Sequence, residues 1–428
     1  MNTDFSTNGY VLPKKLNDDN ALREGERFIE HIPGYSGDGS GRGIVVCGGG
    51  IKYLTCAWIC VSILRRLGCR LPVELWHLGP LELDEKLKPV LALLDIKPVD
   101  AHEVRKSRAA RILNGWELKP FALIHSRFKE AILLDADNVP VVNPEFLFET
   151  PEYKRTGAIF WPDFGRLEPS RTIWLRTGVE YRDEPEFESG QMVVNKERCW
   201  RALQLTKWYN DYSDYFYSHI HGDKETFHIA WRKLRQEYAM PSRGIHSLHA
   251  TMCQHDFEGR RIFQHRNMAK WSLVERNPRI EDFWLEQECM EHLEEFRGHL
   301  TTIKLLLPDQ RTPAQKEAFV ELTKNTFIYV RVGHDLRPMR FNSSGLITLG
   351  AGGCEACWDL KFQDGEVILN ISSETSLTCR LRRGNDAVWR GAWENHEQMP
   401  IELVPVPPRL MGARPQLAMR AQMDMEAP

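Results

Sequence analysis

Short apolar segments alternate with helical patterns over residues 43–300, and this alternation is the strongest constraint on the fold. Residues 44–47 have the pattern of a buried strand, residues 48–50 form a glycine turn, and the apolar side chains that follow recur at helical spacing. Further strands are predicted at residues 73–78, 131–134, 158–161, 191–194 and 262–265. Helices are predicted at residues 53–67, 84–94, 119–128, 197–210 and 222–236, with an extended segment at 99–104. The alternation predicts an α/β domain whose mostly parallel sheet is flanked by helices on both faces.

The pattern changes after residues 307–313, where a helix near 314–323 leads into five or six short strands separated by turns. Such strands indicate a small C-terminal antiparallel β domain. A polar, glycine-rich beginning and an end rich in proline, methionine, alanine and arginine indicate irregular termini. Five segments are therefore predicted: a flexible lead-in at 1–40, the α/β domain at 41–300, a linker and helix at 301–324, the β module at 325–405 and a disordered tail at 406–428.

Charge and apolar segment length limit the partners of the chain. Its 56 Lys and Arg balance 59 Asp and Glu, so the net charge of −3 supplies no global positive field, and nucleic acid is an unlikely partner. The apolar run at 54–64 is about half the roughly 20 residues that span a bilayer, and the first thirty residues are polar. We therefore expect a cytoplasmic protein without a membrane span, whose ten cysteines are mainly reduced.

An acidic pair follows the apolar run at 131–134, and it is the most informative motif in the sequence. Asp135 and Asp137 come at the carboxyl end of the predicted strand, the edge at which open α/β sheets bind ligands. Two carboxylates this close repel each other unless a cation neutralises them, and Mg²⁺ or Mn²⁺ prefers oxygen ligands and also binds phosphate oxygens. The motif indicates a metal–diphosphate site, although a solvated turn that ends a strand would give the same short pattern.

Several blocks in the same order give a more specific indication. They lie at residues 41–53, 64–76, 119–124, 133–144, 188–196, 222–227 and 263–271. Together they resemble the nucleotide-sugar glycosyltransferases of the GT-A fold, and in particular the fungal-type α-mannosyltransferases that elongate mannan branches. The resemblance implies a metal-dependent retaining α-glycosyltransferase that uses a nucleotide-sugar donor, with GDP-mannose favoured, and a glycan or glycoconjugate acceptor.

The resemblance also implies roles for individual residues. The metal ligands would be Asp135, Asp137 and His265, binding Mn²⁺ or Mg²⁺. Glu188 and Asp223 are the catalytic candidates. The donor-binding candidates are Gly48, Gly49, Tyr53, Lys119, Asp135, Gly190, Gln191 and Lys270. Some of these residues could instead have a purely structural role. The glycines at 48–50 could form a plain strand-to-helix turn, Asp223 could cap a helix, and His265 could be a structural imidazole.

Two departures from the fungal pattern affect the substrates. That family is usually anchored by an N-terminal membrane helix, which this sequence does not show, and the β module is not part of the family pattern. Both departures favour an acceptor different from that of the fungal family. They also leave UDP-glucose, UDP-galactose or UDP-N-acetylglucosamine as alternative donors. A non-catalytic carbohydrate-binding protein and a metal phosphohydrolase are the remaining alternatives; the intact acidic motif disfavours the first, and the lack of further His/Asp clusters disfavours the second.

Overall fold

The computed structural model describes residues 6–7, 10–273, 277, 279–305, 311–342, 345–373, 377–394 and 398–406. The chain divides into two compact units, Met1–Leu307 and Pro308–Pro428. The candidate site residues predicted above all belong to the first unit.

The first unit contains strands β1–β12 and helices α1–α11. The strands are β1 Ser6–Thr7, β2 Tyr10–Val11, β3 Arg42–Cys47, β4 Val73–His77, β5 Ile96–Asp100, β6 Glu130–Asp135, β7 Asn138–Pro140, β8 Ala158–Pro162, β9 Phe187–Asn195, β10 His246–Leu248, β11 Thr251–His255 and β12 Arg261–His265. The helices are α1 Ala21–Glu30, α2 Gly50–Arg66, α3 Lys88–Ala92, α4 Ala101–Arg105, α5 Leu118–His125, α6 Pro151–Thr156, α7 Ile173–Thr177, α8 Trp200–Asp211, α9 Ser213–Phe216, α10 Asp223–Lys233 and α11 Glu286–Thr302.

A six-stranded mixed sheet forms the centre of this unit, in the order β5-β4-β3-β6-β9-β8. The first four strands are parallel to one another, whereas β9 pairs antiparallel with both β6 and β8. The sheet separates two apolar cores, and alternate side chains of β3 show this, because Ile44 and Val46 face one core while Val45 faces the other. The predicted α/β domain with a mostly parallel, helix-covered sheet is confirmed.

A second sheet of four strands, in the order β10-β11-β12-β7, lies in the same unit. Strand β7 begins three residues after the end of β6, and it pairs antiparallel with β12 in a register that sets Asn138 opposite His265. This pairing brings a late segment of the chain to the carboxyl edge of the central sheet, where the acidic pair lies.

Helix α2 begins at Gly50, the last glycine of the turn, and its residues from Tyr53 to Leu64 are buried without interruption. The uniformly apolar sequence of this helix fits a position between the central sheet and α11, which share its core. Among the residues that the structure describes, no helix is both long enough and apolar enough to cross a membrane.

Three local predictions differ from the structure. The lead-in expected to be flexible contains α1, whose Phe28 is buried and stacks on Trp208 at 5.6 Å between ring centroids. The extended segment expected at 99–104 is instead the end of β5 followed by α4, because the Asp100 side chain accepts a hydrogen bond from His102 N at 2.8 Å and caps the helix. The helix expected at 84–94 is a 3₁₀ turn, Glu85–Leu87, followed by α3.

The second unit consists of α12 (Pro313–Lys324) and eight antiparallel strands. These are β13 Thr326–Arg331, β14 Asp335–Phe341, β15 Ile347–Leu349, β16 Cys357–Gln363, β17 Glu366–Ser372, β18 Leu377–Arg383, β19 Trp389–Trp393 and β20 Pro400–Pro405. The outermost strands also meet, since Ile347 N donates to Ala356 O at 2.9 Å, so the sheet closes into a barrel. Five or six strands were predicted, and the structure has eight. Strands β14 and β20 were not predicted, because they contain prolines, which argue against a strand when only the sequence is known.

The seven cysteines of the first unit are free thiols. The predicted tail lies outside the described residues from 407 onward.

Candidate functional site

The candidate site forms where the central sheet meets the second sheet. Asp135 is the last residue of β6, Asp137 lies in the turn that follows, and the β7–β12 pairing sets His265 beside them. His265 Nε2 is 3.1 Å from Asp137 Oδ1 and 3.8 Å from Asp135 Oδ2. One ligand atom from each of the three side chains lies within 4.8 Å of the others. The structure therefore brings together the three residues predicted to bind metal.

The chemistry of these three side chains suits a divalent cation. Two carboxylates and one imidazole match the oxygen and nitrogen ligands that Mg²⁺, Mn²⁺ and related ions accept. Asp137 and His265 are almost fully buried, whereas the Asp135 side chain is 20% exposed, so the group has a solvent-facing side. An ion bound here could keep open positions for oxygen atoms of a ligand.

A lysine contacts each of the two aspartates. Lys119 Nζ is 2.8 Å from Asp135 Oδ1, and Lys270 Nζ is 2.9 Å from Asp137 Oδ2. Burial alone would raise the pKa of Asp137, but Lys270 and His265 outweigh it and hold the pKa of this carboxyl well below its usual range. Both lysines were predicted as donor-binding residues, and both lie at the acidic pair.

Lys119 also connects the acidic pair to the start of α10. Its ammonium group lies 3.5 Å from Asp223 Oδ2 and donates to Ser189 Oγ at 3.2 Å. Burial opposes its charge, but Asp135 and Asp223 more than offset burial, so the pKa of Lys119 lies above its usual value. Asp223, which was predicted as a catalytic candidate, is therefore part of the same charged group.

Glu188 lies beneath the imidazole of His265. Its Oε1 is 3.5 Å from His265 Nδ1, and both carboxylate oxygens accept hydrogen bonds from Gly190 N at 2.9 Å. The Gln191 amide donates to Glu188 Oε2 at 2.5 Å and accepts from Asn138 Nδ2 at 2.9 Å. Gln191 was expected to hydrogen-bond a sugar; it is fully buried, and both ends of its amide bind protein neighbours.

Gly190 was expected to allow a sugar ring to approach closely. A Cβ at this position would lie 2.5 Å from His265 Nδ1, so the space that glycine leaves is filled by the imidazole. Gly190 therefore makes room for a side chain of the protein itself.

The glycine turn before α2 lies next to this group. A Cβ on Gly48 would be 3.2 Å from the Cβ of Ala136, between the two aspartates, and a Cβ on Gly49 would clash with Glu82 Oε2 at 2.0 Å. Tyr53 is mostly buried, with Lys270 Nζ 5.8 Å from the centre of its ring. The turn thus borders the site, and its contact with a nucleotide stays a prediction.

Sequence reasoning did not identify three groups around the site. Glu82 fills the space beside Gly49 and accepts a hydrogen bond from Leu78 N at 2.6 Å. Burial raises the pKa of Glu117 to about 7, although its carboxylate accepts a hydrogen bond from Ser213 Oγ at 2.5 Å. Lys224 contacts Asp163 and Glu186. None of these residues belongs to a sequence motif, so only the tertiary structure shows that they lie near the site.

Comparison with known proteins assigns the part of the chain that carries this site to a protein family. The model of a family described as “Mannosyltransferase putative” matches residues 41–177 and 173–265, which is more than half of the chain. The matched region includes the acidic pair and His265 but ends before Lys270 and before the second unit.

Curated relatives match over the same part of the chain. The α-1,2-mannosyltransferase MNN24 of Candida albicans is 31% identical over 241 residues, 46% of this chain and 34% of the relative. MNN21 of the same organism is 27% identical over 300 residues, 56% and 45% of the two chains. MNN2 of Saccharomyces cerevisiae is 27% identical over 295 residues, 54% and 48%. The chain thus spans about a third to a half of the length of these relatives.

Solved structures are similar at a lower level. The galactosyltransferase LgtC with donor and acceptor sugar analogues has a TM-score of 0.39 at 12% identity, covering 60% of this chain and all of that one. Mouse xyloside xylosyltransferase 1 has a TM-score of 0.33 at 15% identity, covering 47% of this chain and 85% of that one.

Proposed function

The chain belongs to this family of mannosyltransferases, and on that premise we propose that it is a metal-dependent, retaining α-mannosyltransferase of GT-A architecture. It moves mannose from GDP-mannose to a hydroxyl group of a glycan or glycoconjugate. The α-1,2 activity for which MNN24 and MNN2 are named supports an α-1,2 linkage. The sugar of GDP-mannose is α-linked, so an α-linked product requires retention of configuration.

The observation that carries this proposal is the cluster of Asp135, Asp137 and His265 at the carboxyl edge of the sheet, with a lysine on each aspartate. A diphosphate leaving group gains negative charge as the glycosidic bond breaks. Mn²⁺, or Mg²⁺, held by the three side chains would neutralise the charge on the diphosphate. The two ligand types and the solvent-facing side of the cluster support this assignment.

Lys270 is the residue that we assign to the departing diphosphate. Its ammonium group lies 2.9 Å from Asp137 Oδ2 and its side chain is 10% exposed, so it lies at the border between the acidic pair and solvent. A positive charge held at this border stabilises a leaving group without having to be reorganised during the reaction. We infer that Lys270 binds a phosphate oxygen of the donor.

Asp223 is the carboxylate that we assign to the reacting sugar. It begins α10, is 5% exposed, and is held near the acidic pair by Lys119. From this position it can orient the donor sugar or accept a hydrogen bond from the attacking hydroxyl, which raises the fraction of bound substrate in a reactive geometry. Lys119 has a positioning role in this account, because it binds both Asp135 and Asp223.

Turnover of nucleotide sugars tests the proposal. Purified protein is incubated with GDP-mannose and, in parallel, with UDP-glucose, UDP-galactose and UDP-N-acetylglucosamine, each with an α-mannoside acceptor in Mn²⁺ or in EDTA. We expect release of GDP and an elongated mannoside in Mn²⁺ only. Turnover that is equal in EDTA would contradict a metal-dependent reaction, and turnover of a UDP-sugar alone would contradict the donor.

The assigned cluster is tested by Asp137→Ala. Removing this carboxylate takes away one ligand and the partner of Lys270, so we expect turnover to fall by about 100-fold or more while the circular dichroism spectrum stays that of the folded wild type. Asp183→Ala removes an exposed aspartate of the same unit and is the control, for which we expect wild-type turnover. Wild-type turnover in Asp137→Ala would show that the cluster is not the reaction centre.

A further inference from the structure

Glu188 was predicted as a catalytic residue, and its surroundings indicate another role. We propose that Glu188 is a positioning residue, which orients the imidazole of His265 toward the cation site and does not attack the sugar. This inference rests on the metal site of the proposed function. It assigns the two acidic candidates to different tasks, with Glu188 acting through His265 and Asp223 facing the substrate.

The first support is that the carboxylate of Glu188 is fully engaged by the protein. Both oxygens accept from Gly190 N at 2.9 Å, and Oε2 also accepts from the Gln191 amide at 2.5 Å. A nucleophile needs an oxygen lone pair directed at the reacting carbon, and these hydrogen bonds direct the oxygens toward β9 and His265 instead.

The second support is the orientation of the imidazole. Nδ1 of His265 faces Glu188 Oε1 at 3.5 Å, and Nε2 faces Asp137 Oδ1 at 3.1 Å and Asp135 Oδ2 at 3.8 Å. A histidine that binds a metal through one ring nitrogen commonly donates the other N–H to a carboxylate, which fixes the tautomer and the ring direction. Glu188 lies on the side of the ring where such a carboxylate is required.

The third support is the space that Gly190 provides. A Cβ there would lie 2.5 Å from His265 Nδ1, 2.6 Å from Cε1 and 2.9 Å from Glu188 Oε1. The same glycine therefore accommodates the ring and donates its N–H to the carboxylate that faces the ring. Glu188, Gly190 and Gln191 together form a support beneath His265, and their adjacency in β9 explains why one strand supplies it.

Asp223 differs from Glu188 in the way its carboxylate is engaged. Among the described residues, Asp223 Oδ2 accepts no hydrogen bond, and its neighbour is Lys119 Nζ at 3.5 Å. This oxygen is held by charge alone and can be redirected when substrate enters. The contrast makes Asp223 the better candidate for contact with the sugar.

Binding of Mn²⁺ by the full chain tests the assignment without turnover. Free Mn²⁺ is quantified by electron paramagnetic resonance during titration of wild type, Glu188→Gln, His265→Gln and the double variant. We expect Glu188→Gln to weaken Mn²⁺ binding about 10-fold or more. In the His265→Gln background the same substitution should have no further effect, because Glu188 acts only through the imidazole.

Glu186→Gln is the matched control, since Glu186 is equally buried, lies two residues earlier and pairs with Lys224. We expect it to leave Mn²⁺ affinity unchanged. Electron spin echo modulation adds a direct signature: the ¹⁴N coupling of an imidazole on Mn²⁺ should be present in wild type, absent in His265→Gln and reduced in Glu188→Gln. Should Glu188→Gln fail to fold, Glu188→Asp retracts the carboxylate from Nδ1, and the same losses are expected.

Two results would overturn the assignment. One is wild-type Mn²⁺ affinity in Glu188→Gln. The other is a loss of Mn²⁺ affinity caused by Glu188→Gln that is equally large in the wild-type and in the His265→Gln background. Neither result concerns turnover, so they are distinct from failure of the proposed function, in which wild type would bind Mn²⁺ but turn over no nucleotide sugar. A turnover defect in Glu188→Gln with normal Mn²⁺ binding would place Glu188 on the substrate and refute the positioning role.

Discussion

Buried charges around the candidate site occur mainly as close partners. Lys119 neutralises Asp135, Lys270 neutralises Asp137, and His265 lies between the two aspartates. Burial of ions this close together is tolerated because each has an opposite charge within hydrogen-bond distance or slightly beyond. Glu225 is more weakly paired, since its Oε1 accepts a hydrogen bond from His221 N at 3.3 Å and lies 3.9 Å from Lys224 Nζ, while Oε2 accepts no hydrogen bond among the described residues.

The burial of Glu225 predicts a pH dependence of stability. Burial raises its pKa to about 7, from a usual value of 4.5. The folded state therefore holds this proton more tightly than the unfolded state, so the stabilisation is complete below pH 4.5 and is lost as the pH rises through 7. The loss amounts to at most about 3 kcal/mol.

Glu225→Gln stays neutral at every pH and should lack this loss. We expect the free energy of unfolding of Glu225→Gln, relative to wild type, to be higher at pH 8 than at pH 5 in urea titrations. Glu237→Gln, at an exposed position of the same unit, is the control and should follow wild type. An identical difference between Glu225→Gln and wild type at both pH values would contradict the account.

The site residues differ in how far the sequence identifies them. Asp135 and Asp137 could be predicted because a fully apolar strand precedes them, which fixes their position at a sheet edge. His265 could be predicted only through the family resemblance, since fifteen histidines offer no internal reason to choose it. Gly190 was identified, but its purpose was not, because the residue that fills its space lies 75 positions later in the chain.

Pairing between β7 and β12 is the structural feature that completes the site. β7 has only three residues, too few for a periodic pattern, so the sequence predicted β12 but gave no indication of its partner.

The segment at 266–271 follows β12 and carries Lys270. Its geometry depends on Arg266, whose side chain is fully buried, lies 3.7 Å above the Trp271 ring and donates to Ala269 O at 2.6 Å.

We expect Arg266→Ala to loosen this segment. The substitution removes the stack on Trp271 and the hydrogen bond to Ala269, so the free energy of unfolding should fall by about 3 kcal/mol, and amide exchange at residues 267–271 should become faster. Arg279→Ala is the control. Both arginines approach Glu286, Arg266 at 3.5 Å and Arg279 at 4.0 Å, but the side chain of Arg279 is 93% exposed. Unchanged exchange in Arg266→Ala would show that other contacts hold the segment.

At the scale of the molecule, the two units have separate apolar cores. The cores of the first unit draw on residues 12–305, and the core of the second draws on residues 318–403. The sequence predicted this division from the change in pattern after residues 307–313. It underestimated the second unit for two reasons. Some strands of the barrel contain prolines, and the barrel is closed by an isolated bridge between Leu346 and Cys357, which no turn signal in the sequence predicts.

Because the two cores are separate, we predict that the first unit folds without the second. A chain ending at residue 307 contains all the candidate metal-binding and catalytic residues, so we expect it to fold and to bind Mn²⁺ with the affinity of the full chain. Asp137→Ala in the shortened chain should abolish that binding. Loss of folding or of Mn²⁺ binding on removal of residues 308–428 would show that the second unit contributes to the stability of the first.

The central claim is that Asp135, Asp137 and His265 hold a divalent cation. Crystals grown with Mn²⁺ and GDP, measured at the manganese absorption edge, test it directly. We predict one anomalous peak within coordination distance of all three side chains, with the diphosphate on the exposed side of Asp135. An anomalous peak elsewhere, or a bound diphosphate without manganese at these side chains, would contradict the account.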